Sequence, residues 1–121
     1  MKKLISIVVP CFNEQEVLPY FYKEIKKIAQ KMNKNNFEFI FINDGSNDNT
    51  INVIKNYASQ DKRVKYVSFS RNFGKEAAIY AGLKSTTGDY VVIMDADLQD
   101  PPELIPKMYE YVTKEDYDMV A

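Results

Sequence analysis

Apolar and polar positions alternate between two periods along this chain. Leu4 to Pro10 (L-I-S-I-V-V-P) is a β-branched apolar run, the pattern of a buried strand. Val17, Leu18, Phe21, Ile25, Ile28, Ala29 and Met32 then recur at three- and four-residue spacing, which predicts an amphipathic helix of about four turns. Asn13 and Glu16 fit a capping box at its start, and Asn33 to Asn36 end it. Phe37 to Asn43 (F-E-F-I-F-I-N) predicts a second strand, closing on Asp44-Gly45-Ser46. A second helix follows from about Asn49 to Gln60, with Ile51, Ile54, Tyr57 and Ala58 on one face. Val64 to Phe69 is a third strand and Ser70 to Lys75 a polar turn. The next helix runs to about Lys84 with a small inner face of Ala77, Ala78, Ala81 and Gly82, suited to close approach to a sheet. Thr87-Gly88 stops it. Tyr90 to Met94 is a fourth strand, Pro102 to about Val112 a fourth helix, and Tyr117 to Ala121 a fifth apolar run.

Strand and helix thus alternate through residues 1–121. This predicts one α/β domain, a Rossmann-like open and mainly parallel sheet with helices on both faces. Ending inside the fifth run, the chain reads as part of a longer protein.

In such a sheet the turn after every strand lies at the same carboxyl edge, where ligands bind. The polar residues of these turns are Asn13 and Glu14, then Asp44 and Ser46, then Arg71, Asn72 and Lys75, then Asp95, Asp97, Gln99 and Asp100. Asp95, Asp97 and Gln99 share parity and point together if the backbone stays extended past Met94. Two carboxylates and an amide oxygen form a hard oxygen site suited to Mg²⁺ or Mn²⁺, with phosphate oxygens and waters completing the shell. Asp100-Pro101-Pro102-Glu103 instead fits the cap of the following helix. Asp44 suits either a base N–H or ribose hydroxyl, or a cap on the second helix. Asn13 reads as a cap, and Glu14 as an acid at a helix start. Arg71 and Lys75 suit either a diphosphate or plain solvation. Cys11 reads as a small residue lining the pocket.

Composition narrows the chemistry. No histidine is present, which excludes imidazole ligands and bases. Sixteen basic against 17 acidic residues argue against a nucleic-acid surface. A single cysteine excludes an internal disulfide and fits a reducing, cytoplasmic compartment. The N-terminal apolar run is short for a signal peptide, and no run approaches the ~20 residues of a membrane span.

Four strings appear in order: V-V-P-C-F-N-E at Val8 to Glu14, N-D-G-S-N-D-N-T at Asn43 to Thr50, S-R-N-F-G-K-E-A-A at Ser70 to Ala78, and T-G-D-Y-V-V-I-M-D-A-D-L-Q-D-P-P at Thr87 to Pro102. Together they resemble the family 2 glycosyltransferases of GT-A fold. The last string and R-N-F-G-K resemble the branch that loads a sugar onto a polyprenyl phosphate, such as bactoprenol glucosyltransferases and dolichol-phosphate mannose synthases. The resemblance implies an inverting, metal-dependent transfer from a nucleotide-diphosphate sugar to a polyprenyl-phosphate acceptor, with Asp95 and Asp97 at the catalytic centre. It places Pro10, Phe12 and Glu14 around the base, Asp44 on the base or ribose, and Arg71 and Lys75 near the nucleotide pocket. It places Asp95 near ribose and metal, and makes Asp97 and Gln99 metal ligands. UDP-glucose is the donor expected from the branch, with GDP-mannose as the alternative.

Members of the family continue well past a fifth strand with acceptor-site residues and, in many cases, membrane helices. Residues 1–121 are therefore expected to bind donor and metal weakly and to be inactive alone, the full-length protein lying at the cytoplasmic face of the membrane. Two other readings fit less well. A receiver-type Mg²⁺-binding signalling domain needs paired acids after the first strand, where C-F-N-E stands. A sugar-1-phosphate nucleotidyltransferase needs a glycine-rich loop there. A non-catalytic nucleotide-sugar binding domain remains compatible with the sequence.

Overall fold

A computed structural model describes residues 2–97, 101–115 and 119–120 of the chain. The elements run β1 (Lys3–Cys11), α1 (Leu18–Lys31), β2 (Asn35–Asn43), α2 (Thr50–Gln60), β3 (Val64–Ser68), α3 (Lys75–Lys84), β4 (Tyr90–Ile93), α4 (Leu104–Glu115) and β5 (Met119–Val120). All strand pairs are parallel and the sheet order is β3-β2-β1-β4-β5. The expected open parallel α/β sheet is therefore present.

Strand parity sorts the core onto two faces. Ile5, Ile7, Val9 and Cys11 of β1, and Phe37, Phe39 and Phe41 of β2, pack with Leu18, Phe21 and Ile25 of α1, Ile54 and Tyr57 of α2, and Ile105 of α4. Val8, Ile40 and Ile42 point the other way, against Ala78 of α3. One face thus carries three helices and the other carries α3. Both faces of β1 are covered, which is why its sequence is apolar without alternation. The small face of α3 has a steric reason, since a Cβ on Gly82 would overlap Val8.

One element start differs from expectation. Asn13 does not cap α1; the helix begins at Leu18, with Val17 at its N-cap and no side-chain cap bond. Asn13 has a positive φ of 53° and accepts the N–H of Asn47 at 2.8 Å on its own side chain. Four residues lie between it and the helix, too far for the reciprocal bonds of a capping box. A proline in the first turn starts the helix instead.

Strand order reverses at β1, which has β2 on one side and β4 on the other. At the carboxyl edge the chain leaves the sheet next to this reversal, the usual position of a ligand crevice in open α/β folds.

Candidate functional site

A cleft of about 300 Å³ opens at that reversal, lined by Pro10, Cys11, Phe12, Glu14, Asp44, Lys75, Asp95 and Asp97. Residues from the ends of β1, β2 and β4 and from the start of α3 meet there. Among the described residues, four acids face one lysine in this space. It is a polar pocket with an aromatic wall, Phe12 being 42% exposed.

The turns after β1 and β2 are tied together behind the cleft. Asn13 N–H donates to Ser46 Oγ at 2.9 Å, Glu14 N–H to Thr50 Oγ1 at 2.9 Å, and Gln15 N–H to Asp48 Oδ2 at 3.3 Å. Asn49 N–H donates in return to Gln15 Oε1 at 2.9 Å. Asn43 is buried at the end of β2, where its Oδ1 accepts Ser46 N–H at 3.2 Å and its Nδ2 donates to Ser68 at 3.0 Å. The long polar string Asn43 to Thr50 is thus mostly scaffold for the first turn. Its length was the available signal, because a simple helix cap needs only one or two such residues.

Asp44 is 4% exposed and engaged by the loop before α3. Its Oδ1 accepts Phe73 N–H at 2.8 Å, and its Oδ2 accepts Gly74 N–H and Asn72 Nδ2, each at 3.1 Å. It does not cap α2, whose first N–H, that of Thr50, is taken by Asp48 Oδ1 at 3.0 Å. Gly45 beside it has φ 68°, and a Cβ there would overlap the backbone of Arg71 and Asn72. The turn after β2 and the loop before α3 therefore touch backbone to backbone, and the contact aims Lys75 into the cleft.

Lys75, the first residue of α3, spans the cleft to Asp95: Nζ lies 2.8 Å from Oδ1 and 2.9 Å from Oδ2. The β4 ladder stops at Ile93, although Met94 N–H still donates to Val8 O at 2.9 Å. The chain turns at Ala96. Burial of Met94 and Ala96 leaves Asp95 and Asp97 outward, and both line the cleft. Gln99, the expected third metal ligand, and Asp100, the expected cap of α4, lie outside the described residues. Arg71 stacks on Phe73, its guanidinium carbon 4.8 Å from the ring centre, and is not among the residues lining the cleft.

The electrostatics favour a cation. Burial and the nearby Asp97, Asp95 and Asp48 carboxylates raise Glu14 above its ordinary value. Burial, with Glu14 and Asp95, pushes the Cys11 thiol far up, so it is a neutral wall and no nucleophile. Among the described residues no three carboxylate, histidine or cysteine groups stand close enough to hold an ion by themselves. The oxygen-only donor set still suits Mg²⁺ or Mn²⁺, which are commonly held by one or two carboxylates with phosphate oxygens supplying the rest.

Residues 6–121 match the protein family described as glycosyl transferase family 2. The chain belongs to glycosyl transferase family 2. A bactoprenol glucosyl transferase of Shigella phage SfX is 50% identical to this family 2 chain over 106 residues, covering 88% of the chain and 34% of the relative. An undecaprenyl-phosphate 4-deoxy-4-formamido-L-arabinose transferase of Pectobacterium atrosepticum is 40% identical over 120 residues, covering 98% of the chain and 36% of the relative. The chain therefore spans about a third of the length of these relatives. A mannosyltransferase from Pyrobaculum calidifontis, solved with GDP-Man and Mn²⁺, superposes with a TM-score of 0.77 at 22% identity, over 93% of the chain and 33% of the neighbour. That likeness establishes the GT-A fold of the family 2 chain. No helix among its described residues is long and apolar enough to cross a membrane.

Proposed function

We propose that the cleft is the donor half of a glycosyltransferase that moves a sugar from a nucleotide-diphosphate sugar to a polyprenyl phosphate. The observation that carries it is the meeting of Glu14, Asp44, Lys75, Asp95 and Asp97 on one cleft in a family 2 chain. The relatives named for bactoprenol and undecaprenyl phosphate support the acceptor class. UDP-glucose is the preferred donor and GDP-mannose the alternative. Residues that take up the acceptor lie in the part of the relatives that this chain does not span, and transfer is assigned to the cytoplasmic face of the membrane.

Pro10 and Phe12 offer an apolar wall to the base. Asp44 has carboxylate lone pairs beyond those taken by the loop, and these accept from the base or ribose. Glu14 borders the same space, and Lys75 pairs with the diphosphate. Asp95 and Asp97, with Gln99, hold Mg²⁺ or Mn²⁺. The bound ion supplies charge neutralisation to the diphosphate leaving group. In the transfer an acceptor phosphate oxygen bonds to the anomeric carbon from the face opposite the diphosphate. The bond from that carbon to the diphosphate breaks, and its electron pair leaves with the nucleotide, inverting the centre. A phosphate monoester has a second pKa of ~6 and is largely ionised at neutral pH, so the step needs no strong base. Holding the donor in line is the chief contribution of these residues.

Calorimetry of UDP and GDP with and without Mn²⁺, on this chain and on Asp97→Ala, tests the reading. One nucleotide should bind more tightly with Mn²⁺, and Asp97→Ala should remove that gain. Binding indifferent to metal in the parent chain would refute the metal-diphosphate site. Measurable sugar transfer by residues 1–121 alone would refute the assignment of the acceptor half elsewhere.

A further inference from the structure

We infer that Lys75 is a resident counter-cation of the metal site, neutralising Asp95 until a diphosphate draws it away and thereby making metal and nucleotide binding mutually dependent. The inference rests on the donor-site reading above. Nζ of Lys75 lies within 2.9 Å of both Asp95 carboxylate oxygens, so an ion approaching Asp95 meets a positive charge already there. Asp95 and Asp97 are joined by no third carboxylate close enough to complete a site among the described residues, so an ion arriving alone has few protein oxygens to gain. The competing lysine then decides whether it stays.

The pair is also built to be exchanged. The side chain of Lys75 is 59% exposed and that of Asp95 32%, and a pair in such a setting is weak enough to exchange partners readily. Lys75 stands at the first position of α3, where its flexible stem can swing without disturbing the helix. A diphosphate in the same cleft offers it new anionic oxygens and offers the ion the missing ligands. One movement therefore serves both, and the coupling must be reciprocal: nucleotide tightens metal by the same factor as metal tightens nucleotide. Among the described residues the other cleft acids are Glu14, Asp44 and Asp97; their negative field draws the ion and opposes a diphosphate arriving without one, which adds to the coupling.

Mn²⁺ titrations followed by the paramagnetic resonance of the free ion, without nucleotide and with saturating UDP or GDP, test this on the parent chain, Lys75→Met and Lys75→Arg. Lys75→Met should bind Mn²⁺ alone about 1.4- to 5-fold more tightly than the parent, the factor set by loss of an exposed ion pair. It should bind metal-free nucleotide more weakly, and its metal–nucleotide coupling factor should fall several-fold. Lys75→Arg, which keeps the charge, should behave like the parent. Mn²⁺ affinity in Lys75→Met equal to or weaker than the parent overturns the competition while leaving the donor site standing. Unchanged metal-free nucleotide affinity in Lys75→Met overturns the transfer of Lys75 to the diphosphate. Failure of every protein to bind Mn²⁺ under any condition overturns the donor-site reading itself, and this inference with it.

Discussion

The Asp44 carboxylate accepts the backbone N–H of Phe73 at 2.8 Å, joining the end of β2 to the loop that starts α3. Through this bond, and those from Gly74 and Asn72, the residue that sequence alone suggests as a nucleotide ligand also sets the position of Lys75. Asp44→Asn leaves one acceptor oxygen and turns an NH₂ group toward a backbone donor. The variant should lose ~1–3 kcal/mol of stability, measured as a lower urea midpoint. Asp44→Ala should also weaken nucleotide binding in metal-free buffer. Equal affinity there would confine Asp44 to its scaffold role.

Gly45→Ala should cost more. The backbone at Gly45 is left-handed, and the added Cβ meets the main chain of Arg71 and Asn72, which cannot rotate away as a side chain would. A loss of ~2–4 kcal/mol in denaturant unfolding is expected. The same change should lower nucleotide affinity, since it pushes the loop before Lys75 outward. A neutral effect on both would mean that the two loops separate freely.

Glu14 is an acid whose ionisation the fold resists. Burial and the Asp97, Asp95 and Asp48 carboxylates raise its folded value above the unfolded one. Its contribution to stability is therefore full at low pH and is lost as pH rises through the raised value. Glu14→Gln should be more stable than the parent at neutral pH, and the two should converge in acid. Saturating Mn²⁺ and nucleotide should narrow the neutral-pH gap, because a bound cation relieves the crowding of acids. Urea midpoints across pH measure both effects.

Glu38 behaves in the opposite sense at the far side of the sheet. It is buried on β2 and accepts from Ser6 Oγ, from Lys65 Nζ at 2.7 Å and from Thr87 N–H at 2.7 Å. Burial alone would raise its carboxyl, but the hydrogen bonds from Lys65, Ser6 and Thr87 outweigh it and hold it at about 2. Because the folded value lies below the unfolded one, the stabilisation is present above the unfolded value. It is lost as pH falls from about 4.5 toward about 2, a contribution of up to ~3 kcal/mol. Glu38→Gln should be less stable than the parent at neutral pH, with the gap closing over that window. A gap independent of pH would show that packing rather than charge holds this cluster.

Much of this protein was legible along the chain because period and parity are local. The unbroken apolar runs of β1 and β2 require cover on both faces, so a parallel sheet with helices above and below follows without coordinates. The four polar turns follow too, since a parallel sheet brings the chain to the same edge after every strand. The N-terminus of α1 was not legible in the same way, because a capping box is a four-residue pattern. The actual partner of Asn13 is Asn47, 34 positions away. Arg71 and Lys75 look alike as candidate cations four residues apart. One stacks on Phe73 and the other crosses the cleft, and only the three-dimensional path of the loop before α3 separates them.

Sequence by itself determined the α/β alternation, the acids at the carboxyl edge and the family. It did so because hydrophobic period and motif order are properties of a one-dimensional string. Tertiary structure alone decided that Asp44 is a strut for the α3 loop as well as a cleft wall, and that Lys75 and not Arg71 meets Asp95. It also decided that the string Asn43 to Thr50 supports the first turn more than it faces the cleft. Each of these depends on hydrogen bonds or ion pairs between turns some twenty to forty residues apart. Their partners are chosen by strand order, a quantity that no local pattern carries.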